Sequence, residues 1–275
     1  MMCLGSCGRT WAALALGLPL LAGAPGHAET AADARDVGTV QAVIDGDTLR
    51  LDDGRTVRLV GIEAPKPPLG RRDGRPWPIA ERARAELSRL TLGKKMILDY
   101  GGAREDRYGR RLAQVYRDDG PRDGSGAPGP WLQGEMLRRG LARVHTQADN
   151  RALAAQMLAA ERGARAARRG LWALDVYRIR RPEELGADAD SFQLVEGTVQ
   201  AAAVTAGRGY LNFGPDRHTD FTVVVPAATR RQLREAGIDF AALAGRRVLV
   251  RGWIMLRDGP MIELSHAEAI ELTEE

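Results

Sequence analysis

Two short stretches of the chain combine carboxylates with arginines. The first is the tetrapeptide DGDT at residues 45–48, followed ten residues later by Arg58, and the second is DRYGR at residues 106–110. Carboxylate oxygens are the ligands that hard cations such as Ca²⁺ prefer. Guanidinium groups hold phosphate oxygens through paired hydrogen bonds. Residues of these types are suited to the chemistry of a phosphate ester.

Each of these residues also has a simpler interpretation. Asp45 and Asp47 can be turn formers that hydrogen-bond their own backbone. Arg58 and Arg110 can be structural ion-pair partners of Asp47 and Glu63. The tetrapeptide alone does not decide between these interpretations, because many hairpins contain such a turn.

The composition is that of a globular protein. Of 275 residues, 44% are hydrophobic and 28% are charged, which excludes an intrinsically disordered chain. Residues 29–191 carry 30 basic and 25 acidic side chains, whereas residues 192–275 carry 9 and 11. The first of these segments, with a net charge of +5, is therefore the better candidate to bind a polyanion.

Residues 1–28 have the pattern of a secretory signal peptide. Arg9 is the only charged residue before Glu29, an apolar stretch runs from Trp11 to Ala22, and small residues precede a cleavage site before Glu29. We therefore expect a periplasmic or secreted protein without an integral membrane role after signal removal. The alternative is an uncleaved membrane anchor. Both cysteines lie in this segment, so the mature chain would contain no disulfide.

Hydrophobic periodicity predicts the strands and helices that position the two charged stretches. Alternating residues over 38–60 predict a hairpin, and further strands are predicted at 94–100, 112–117 and 141–144. Apolar residues at helical spacing predict helices over 79–90, 132–139 and 151–169.

A second unit begins at Phe192. The charged, patternless stretch 179–191 is predicted to be a linker, and residues 192–275 contain several short strands and one clear helix at 227–236. This order favours a small five-stranded barrel of the OB kind. Its aromatic residues, Trp253 among them, could form either a base-stacking platform or an ordinary core.

Four motifs together resemble the staphylococcal nuclease-like (thermonuclease) family. They are DGDT, RLVGIEAP at 58–65, DRYGR and RRGLARV at 138–144, and they follow one another in the family's order over about residues 38–175. The resemblance implies an α+β, mainly β fold, with an OB-like five-stranded barrel and packed helices over residues 36–178. It also implies cleavage of phosphodiester bonds in DNA and RNA with Ca²⁺.

The resemblance assigns roles to individual positions. Asp47 and Glu63, with the main-chain carbonyl of Ala64, match the family's metal ligands, and Arg58 and Arg110 match the arginines that hold the scissile phosphate. Arg107 and Tyr108 match substrate-binding positions of the family.

One position departs from the family in a way that affects catalysis. Lys66 stands three residues after Glu63, where the family has its general-base glutamate. An ammonium group has no lone pair and cannot accept a proton from water, and loss of a general base typically removes about 10²- to 10⁴-fold of the rate. Lys66 is therefore predicted to bind phosphate within the catalytic site rather than to act as a base.

Two hypotheses follow from these observations. The first is an exported nuclease of reduced activity that acts on nucleic acid, single-stranded in preference to double-stranded. The second is a non-catalytic module that binds nucleic acid or a protein on a nuclease scaffold. The sequence does not indicate an oligomeric state.

Overall fold

The computed structural model describes residues 36–66, 77–120, 128–216 and 218–273. The predicted signal peptide at residues 1–28 lies outside the described residues. None of the helices in the described ranges is both long enough and apolar enough to cross a lipid bilayer.

Five strands of the first half close into a barrel. The strands are β1 (Asp36–Asp45), β2 (Thr48–Leu51), β3 (Thr56–Leu59), β5 (Lys95–Asp99) and β6 (Arg111–Arg117). The hydrogen-bonded order around the barrel is β1-β2-β3-β6-β5, in which β3 and β6 are parallel and the other described pairs are antiparallel. The closed barrel predicted for this region is confirmed.

The barrel follows from residue alternation along its strands. Leu49 and Leu51 of β2 are fully buried, and Arg50 between them is exposed. Successive side chains of a strand point to opposite faces. In β3 the same alternation buries Val57 and Leu59 and directs Arg58 away from the barrel core.

The described residues of this half also form three α-helices and a small ribbon. The ribbon pairs β4 (Gly61–Glu63) with β7 (Arg143–His145) in antiparallel fashion. The helices are α1 (Ala80–Thr91), α2 (Leu132–Arg138) and α3 (Ala154–Ala166). They bury Leu87, Met136 and Met157 in the same apolar core as the barrel strands, and burial of such side chains stabilises the folded state.

The second half consists of two open sheets around one apolar core. The elements are β8 (Phe192–Thr198), β9 (Ala201–Thr205), β10 (Arg208–Asn212), β11 (Thr222–Val225), α4 (Ala227–Glu235), β12 (Arg247–Trp253), β13 (Met255–Leu256), β14 (Pro260–Glu263) and β15 (Ile270–Leu272). The larger sheet has the order β13-β14-β11-β10-β9 and the smaller one β15-β12-β8.

The prediction of a second closed OB-like barrel is wrong for this half. The chain passes from one sheet to the other between two adjacent residues. The N–H of Val199 donates to the carbonyl of Arg246 beside the smaller sheet, and the N–H of Gln200 donates to Asn212 at the end of β10. The alternation pattern predicts that strands exist, but not which neighbours their edges bond to, so closure could not be derived from it.

The stretch predicted as a linker has local structure. It contains a 3-10 helix over Pro182–Ala187, and Leu185 of this helix is fully buried in the core of the second half. The domain boundaries that we derived from the sequence remain predictions.

A buried ionic cluster joins the two halves. Arg251 of β12 donates to Glu271 at 2.5 Å and lies 2.9 Å from Glu161 of α3. Glu161 also accepts the N–H of Val144 in β7 at 2.7 Å. The side chain of Arg251 is 2% exposed, and removing one member of such a cluster would leave an uncompensated buried charge. The cluster therefore fixes the second half against α3.

Candidate functional site

The turn between β1 and β2 is formed by tight packing. The N–H of Asp47 donates to Oδ1 of Asp45 at 3.0 Å, which is the hydrogen bond of an Asx turn. A Cβ atom on Gly46 would lie 2.6 Å from the Cβ of Ala64 and 2.8 Å from that of Ala83. Only glycine fits where this turn packs against α1 and the segment after β4.

Four groups donate to the buried carboxylate of Asp47. Its Oδ1 accepts Nζ of Lys66 at 2.6 Å, the hydroxyl of Thr48 at 3.0 Å and Nη1 of Arg58. Its Oδ2 accepts the N–H of Ala64 at 2.7 Å. Strand parity brings Arg58 here, because Arg58 lies opposite Thr48 in the β2–β3 register.

The two cations keep Asp47 ionised. Burial alone would raise its pKa, but the charges of Arg58 and Lys66 and the hydrogen bonds from Lys66 and Ala64 outweigh burial and lower the pKa to about 2. An opposite charge at this distance favours the ionised carboxylate. Asp47 is therefore a fixed negative charge at neutral pH.

Asp45 is a second carboxylate at the same ammonium group. Nζ of Lys66 lies 3.1 Å from its Oδ2. Burial and the neighbouring charge of Asp47 raise the pKa of Asp45, although Lys66 counteracts them. Two carboxylates and two cations thus form one charge-balanced network, in which the side chain of Lys66 is 32% exposed and that of Arg58 is 15% exposed.

Glu63 does not join this network. Its carboxylate lies 3.1 Å from Nη2 of Arg143 and 3.6 Å from Nδ1 of His145. The β4–β7 register places Glu63 directly opposite Arg143. The simpler interpretation of Arg58, as an ion-pair partner of Asp47, is therefore present in the structure. Glu63 pairs with Arg143 instead.

As arranged, these residues do not fit a calcium ion. Asp47 is surrounded by four donors, two of them cationic, and Glu63 is held by Arg143. Ala64 faces Asp47 through its N–H. In the described ranges no three His, Cys, Asp or Glu side chains are grouped so that they could hold a metal ion. The ligand roles implied for Asp47, Glu63 and Ala64 remain predictions.

The DRYGR stretch forms a largely exposed loop directly before β6. Asp106 accepts Nε of Arg110 at 2.7 Å and the N–H of Tyr108 at 2.9 Å. Nη2 of Arg107 donates to the hydroxyl of Tyr108 at 2.6 Å, and the tyrosine is 67% exposed. Arg110 thus has Asp106 as its ion-pair partner, rather than Asp47 or Glu63, and the substrate roles of these three residues remain predictions.

His145 has no metal-ligand spacing in the sequence, which predicts a surface or structural role, and the structure places it beside Glu63. Its ring lies 4.5 Å from the ring of Phe192, in the second half of the chain. Burial lowers the pKa of His145 despite the nearby carboxylate of Glu63, so the imidazole is neutral at pH 7. No sequence pattern signals this contact, because the two rings are far apart along the chain.

The closed barrel, its packed helices and the turn at residues 45–48 that faces Arg58 agree with the fold expected from the resemblance. A family model described as "Staphylococcal nuclease homologue" matches residues 56–174. The matched segment starts after the DGDT turn and contains Arg58, Lys66 and Arg110.

Curated proteins are similar to this chain over part of its length. A protein of Escherichia coli named "Uncharacterized endonuclease" is 32% identical over 138 residues, 49% of this chain and 76% of that protein. A protein of the same name from Escherichia coli O157:H7 has the same identity and coverage. An "Uncharacterized 38.1 kDa protein" of Capnoides sempervirens is 34% identical over 117 residues, which are 42% of this chain and only 28% of that protein.

This chain belongs to the staphylococcal nuclease homologue family. The family match ends before the second half, whose sheets form a further domain that the match does not identify.

Proposed function

We propose that this protein binds the phosphodiester backbone of nucleic acid at Arg58 and Lys66 and hydrolyses it slowly. The observation that supports this proposal is the convergence of both cations on Asp47. Asp47 holds the two groups in place, and the exposed part of the Lys66 side chain faces solvent. An ammonium group has three N–H donors, of which Asp45 and Asp47 accept two within the described structure.

The chemistry assigned to these residues is stabilisation of charge. In hydrolysis, the oxygen of water bonds to phosphorus, the bond to the leaving oxygen breaks, and the water proton passes to solvent while the leaving oxygen is protonated. Negative charge increases on the phosphate oxygens during this step, and fixed cations stabilise it. No step is assigned to calcium, because the arrangement of Asp47 and Glu63 does not fit the ion.

The rate is expected to be low because of Lys66. A protonated amine cannot take the proton of the attacking water, and the missing base accounts for a loss of about 10²- to 10⁴-fold. This same residue favours a second candidate function, in which the protein binds nucleic acid without cleaving it.

One experiment separates the two functions. The full chain and its Arg58→Ala variant are incubated with a 5′-fluorescein-labelled 12-mer of single-stranded DNA, and cleavage and binding are followed at several salt concentrations. Slow cleavage that Arg58→Ala abolishes supports the enzyme. Binding that weakens with salt, without cleavage, supports the second candidate, since phosphate contacts are salt-dependent. Absence of binding contradicts both.

The proposal also includes export to the periplasm or the medium, which rests on residues 1–28 alone. The N-terminus of the protein recovered from the expressing cells tests this part. A mature chain that begins at Glu29 supports it, and a cell-retained chain that keeps Trp11–Ala22 supports the alternative of a membrane anchor.

A further inference from the structure

A cavity of about 390 Å³ opens beside the Asp47 network. Its wall on the barrel side includes Ala64 and Lys66, and its wall on the other side includes Phe192 of β8 and Trp253 of β12. The volume lies within the range of about 300–1,000 Å³ that small-molecule sites occupy. Lys66 therefore belongs both to the network around Asp47 and to the boundary of this cavity.

The cavity is lined by aromatic side chains from both halves of the chain. Trp77 is 40% exposed and its ring lies 6.4 Å from that of Tyr177. Trp253 is 53% exposed, although its register partner across the sheet, Phe192, is buried. An exposed aromatic cluster that borders a cavity is a feature of binding sites, and aromatic rings are the surfaces on which the bases of single strands stack.

Two other aromatic residues of the second half, Phe213 and Phe221, are not available for such a role. Phe213 and Phe221 lie 4.9 Å apart in the apolar core, and Phe221 is fully buried. The two interpretations of these aromatics in the sequence thus apply to different residues. Phe213 and Phe221 form the core, and Trp253 faces the cavity.

The charges around the cavity are balanced rather than basic. Arg143 pairs with Glu63 at 3.1 Å, and Arg180 pairs with Asp188 at 3.3 Å. Such paired groups do not favour a phosphate inside the cavity. They suit an uncharged, planar ring with polar edges, with its phosphate outside at Lys66.

Contacts between the two halves hold together the elements that form the walls of the cavity. The cluster of Arg251, Glu161 and Glu271 holds β12 against α3, and Thr146 hydrogen-bonds the buried His266 at 2.7 Å. A site whose walls are already in position loses less conformational freedom on binding than one that must close.

We propose that this cavity binds a nucleobase of single-stranded nucleic acid, stacked on Trp77 and Trp253. The inference rests on the proposed function, because the phosphate next to that base would be the one held by Lys66. In this arrangement the second half of the chain supplies part of the substrate site. Double-stranded nucleic acid is disfavoured, because its bases are already stacked and paired.

The test measures binding by fluorescence anisotropy in EDTA, using the full chain. Three labelled probes are compared: oligo(dT) of 12 nucleotides, an abasic 12-mer with the same phosphates, and a 12-base-pair duplex. The variants are Trp253→Ala, Trp253→Phe, Trp77→Ala and Lys66→Gln. Leu92→Ala is the matched control, because Leu92 is an exposed apolar residue (52%) at the end of α1. Circular dichroism establishes that each variant is folded.

The proposal predicts that the wild-type chain binds oligo(dT) at least about tenfold more tightly than the abasic strand. Trp253→Ala and Trp77→Ala should reduce this preference by about tenfold, Trp253→Phe should retain part of it, and Leu92→Ala should leave it unchanged. Lys66→Gln should weaken both single strands equally.

Two results would overturn the inference. If the tryptophan variants bind oligo(dT) as the wild type does while Lys66→Gln weakens it, the phosphate site stands and the base site is refuted. If the wild type binds none of the probes, the proposed function fails and the inference fails with it.

Discussion

Nζ of Lys66 lies 2.6 Å from Oδ1 of Asp47 and 3.1 Å from Oδ2 of Asp45. One ammonium group thus bridges the two carboxylates of the turn at residues 45–48. The charge that a divalent cation would neutralise at this turn is neutralised by a side chain of the protein itself.

Replacing this ammonium by a carboxylate should change the activity. In Lys66→Glu the two carboxylates lose their bridging cation, and a third carboxylate is available both to accept a proton and to bind Ca²⁺. We expect cleavage of single-stranded DNA to rise by about tenfold or more and to require Ca²⁺. Lys66→Gln is the control, since it removes the ammonium without adding a base, and it should stay at or below the wild-type rate. An equal rate in Lys66→Glu and Lys66→Gln would refute the assignment of residue 66 to the general-base position.

The free energy of unfolding should fall in acid because of Asp47. Burial opposes ionisation, but Arg58 and Lys66 outweigh burial and lower the pKa of Asp47 from 3.8 to about 2. This stabilisation, about 2 kcal/mol, is fully present above the unfolded-state pKa of about 4 and is lost as the pH falls towards 2. Urea unfolding at pH 5, 4, 3 and 2 measures it. Asp47→Asn should show a weaker pH dependence over this window, and an identical dependence would contradict the ion pairing.

Gly46→Ala should destabilise the protein and weaken the site. The added methyl group would meet Ala64 and Ala83 at under 3 Å, and overpacking of this kind costs about 1–3 kcal/mol. Gly163→Ala is the matched control, because Gly163 lies in α3 and its Cβ position meets nothing beyond its own helix backbone and chain neighbours within 4 Å. There alanine should raise the free energy of unfolding by about 0.5–1 kcal/mol. Thermal unfolding of both variants, followed by circular dichroism, tests the pair, and equal behaviour would contradict the close packing of the turn.

Arg251→Leu should destabilise the chain through the carboxylates it leaves behind. Glu161 and Glu271 would lose the cation between them, and breaking a buried pair costs about 3–5 kcal/mol. Arg84→Ala removes an ion pair with Glu81 in which both side chains are exposed, and such pairs contribute about 0–1 kcal/mol. Equilibrium unfolding in urea compares the two variants. A loss of stability no larger in Arg251→Leu than in Arg84→Ala would refute the role of the buried cluster.

Much of the first half could be predicted from local patterns. The alternation of apolar residues over 49–59 and their helical spacing over 79–90 indicate which face of each element is buried, and both patterns can be seen in the sequence itself. The same alternation indicated that Arg58 points away from Val57 and Leu59. The motifs predict that Asp47, Glu63, Arg58 and Arg110 share one site. The structure joins Arg58 to Asp47 but gives Glu63 and Arg110 other ion-pair partners.

The remaining contacts depend on tertiary structure that no local pattern encodes. Glu63 faces Arg143 because of a strand register between residues 80 positions apart. Phe192 reaches His145 only because β8 packs beside β7. The second half does not close into a barrel because the chain passes from one sheet to the other at Val199. The alternation of apolar residues in its strands does not indicate this change of sheet.

Calorimetric titration of Ca²⁺ into the wild-type chain and into Asp47→Asn tests whether Lys66 occupies the cation position at Asp47. If it does, the two titrations are the same and show no calcium bound at this turn. Calcium binding by the wild type that Asp47→Asn abolishes would contradict this placement of Lys66.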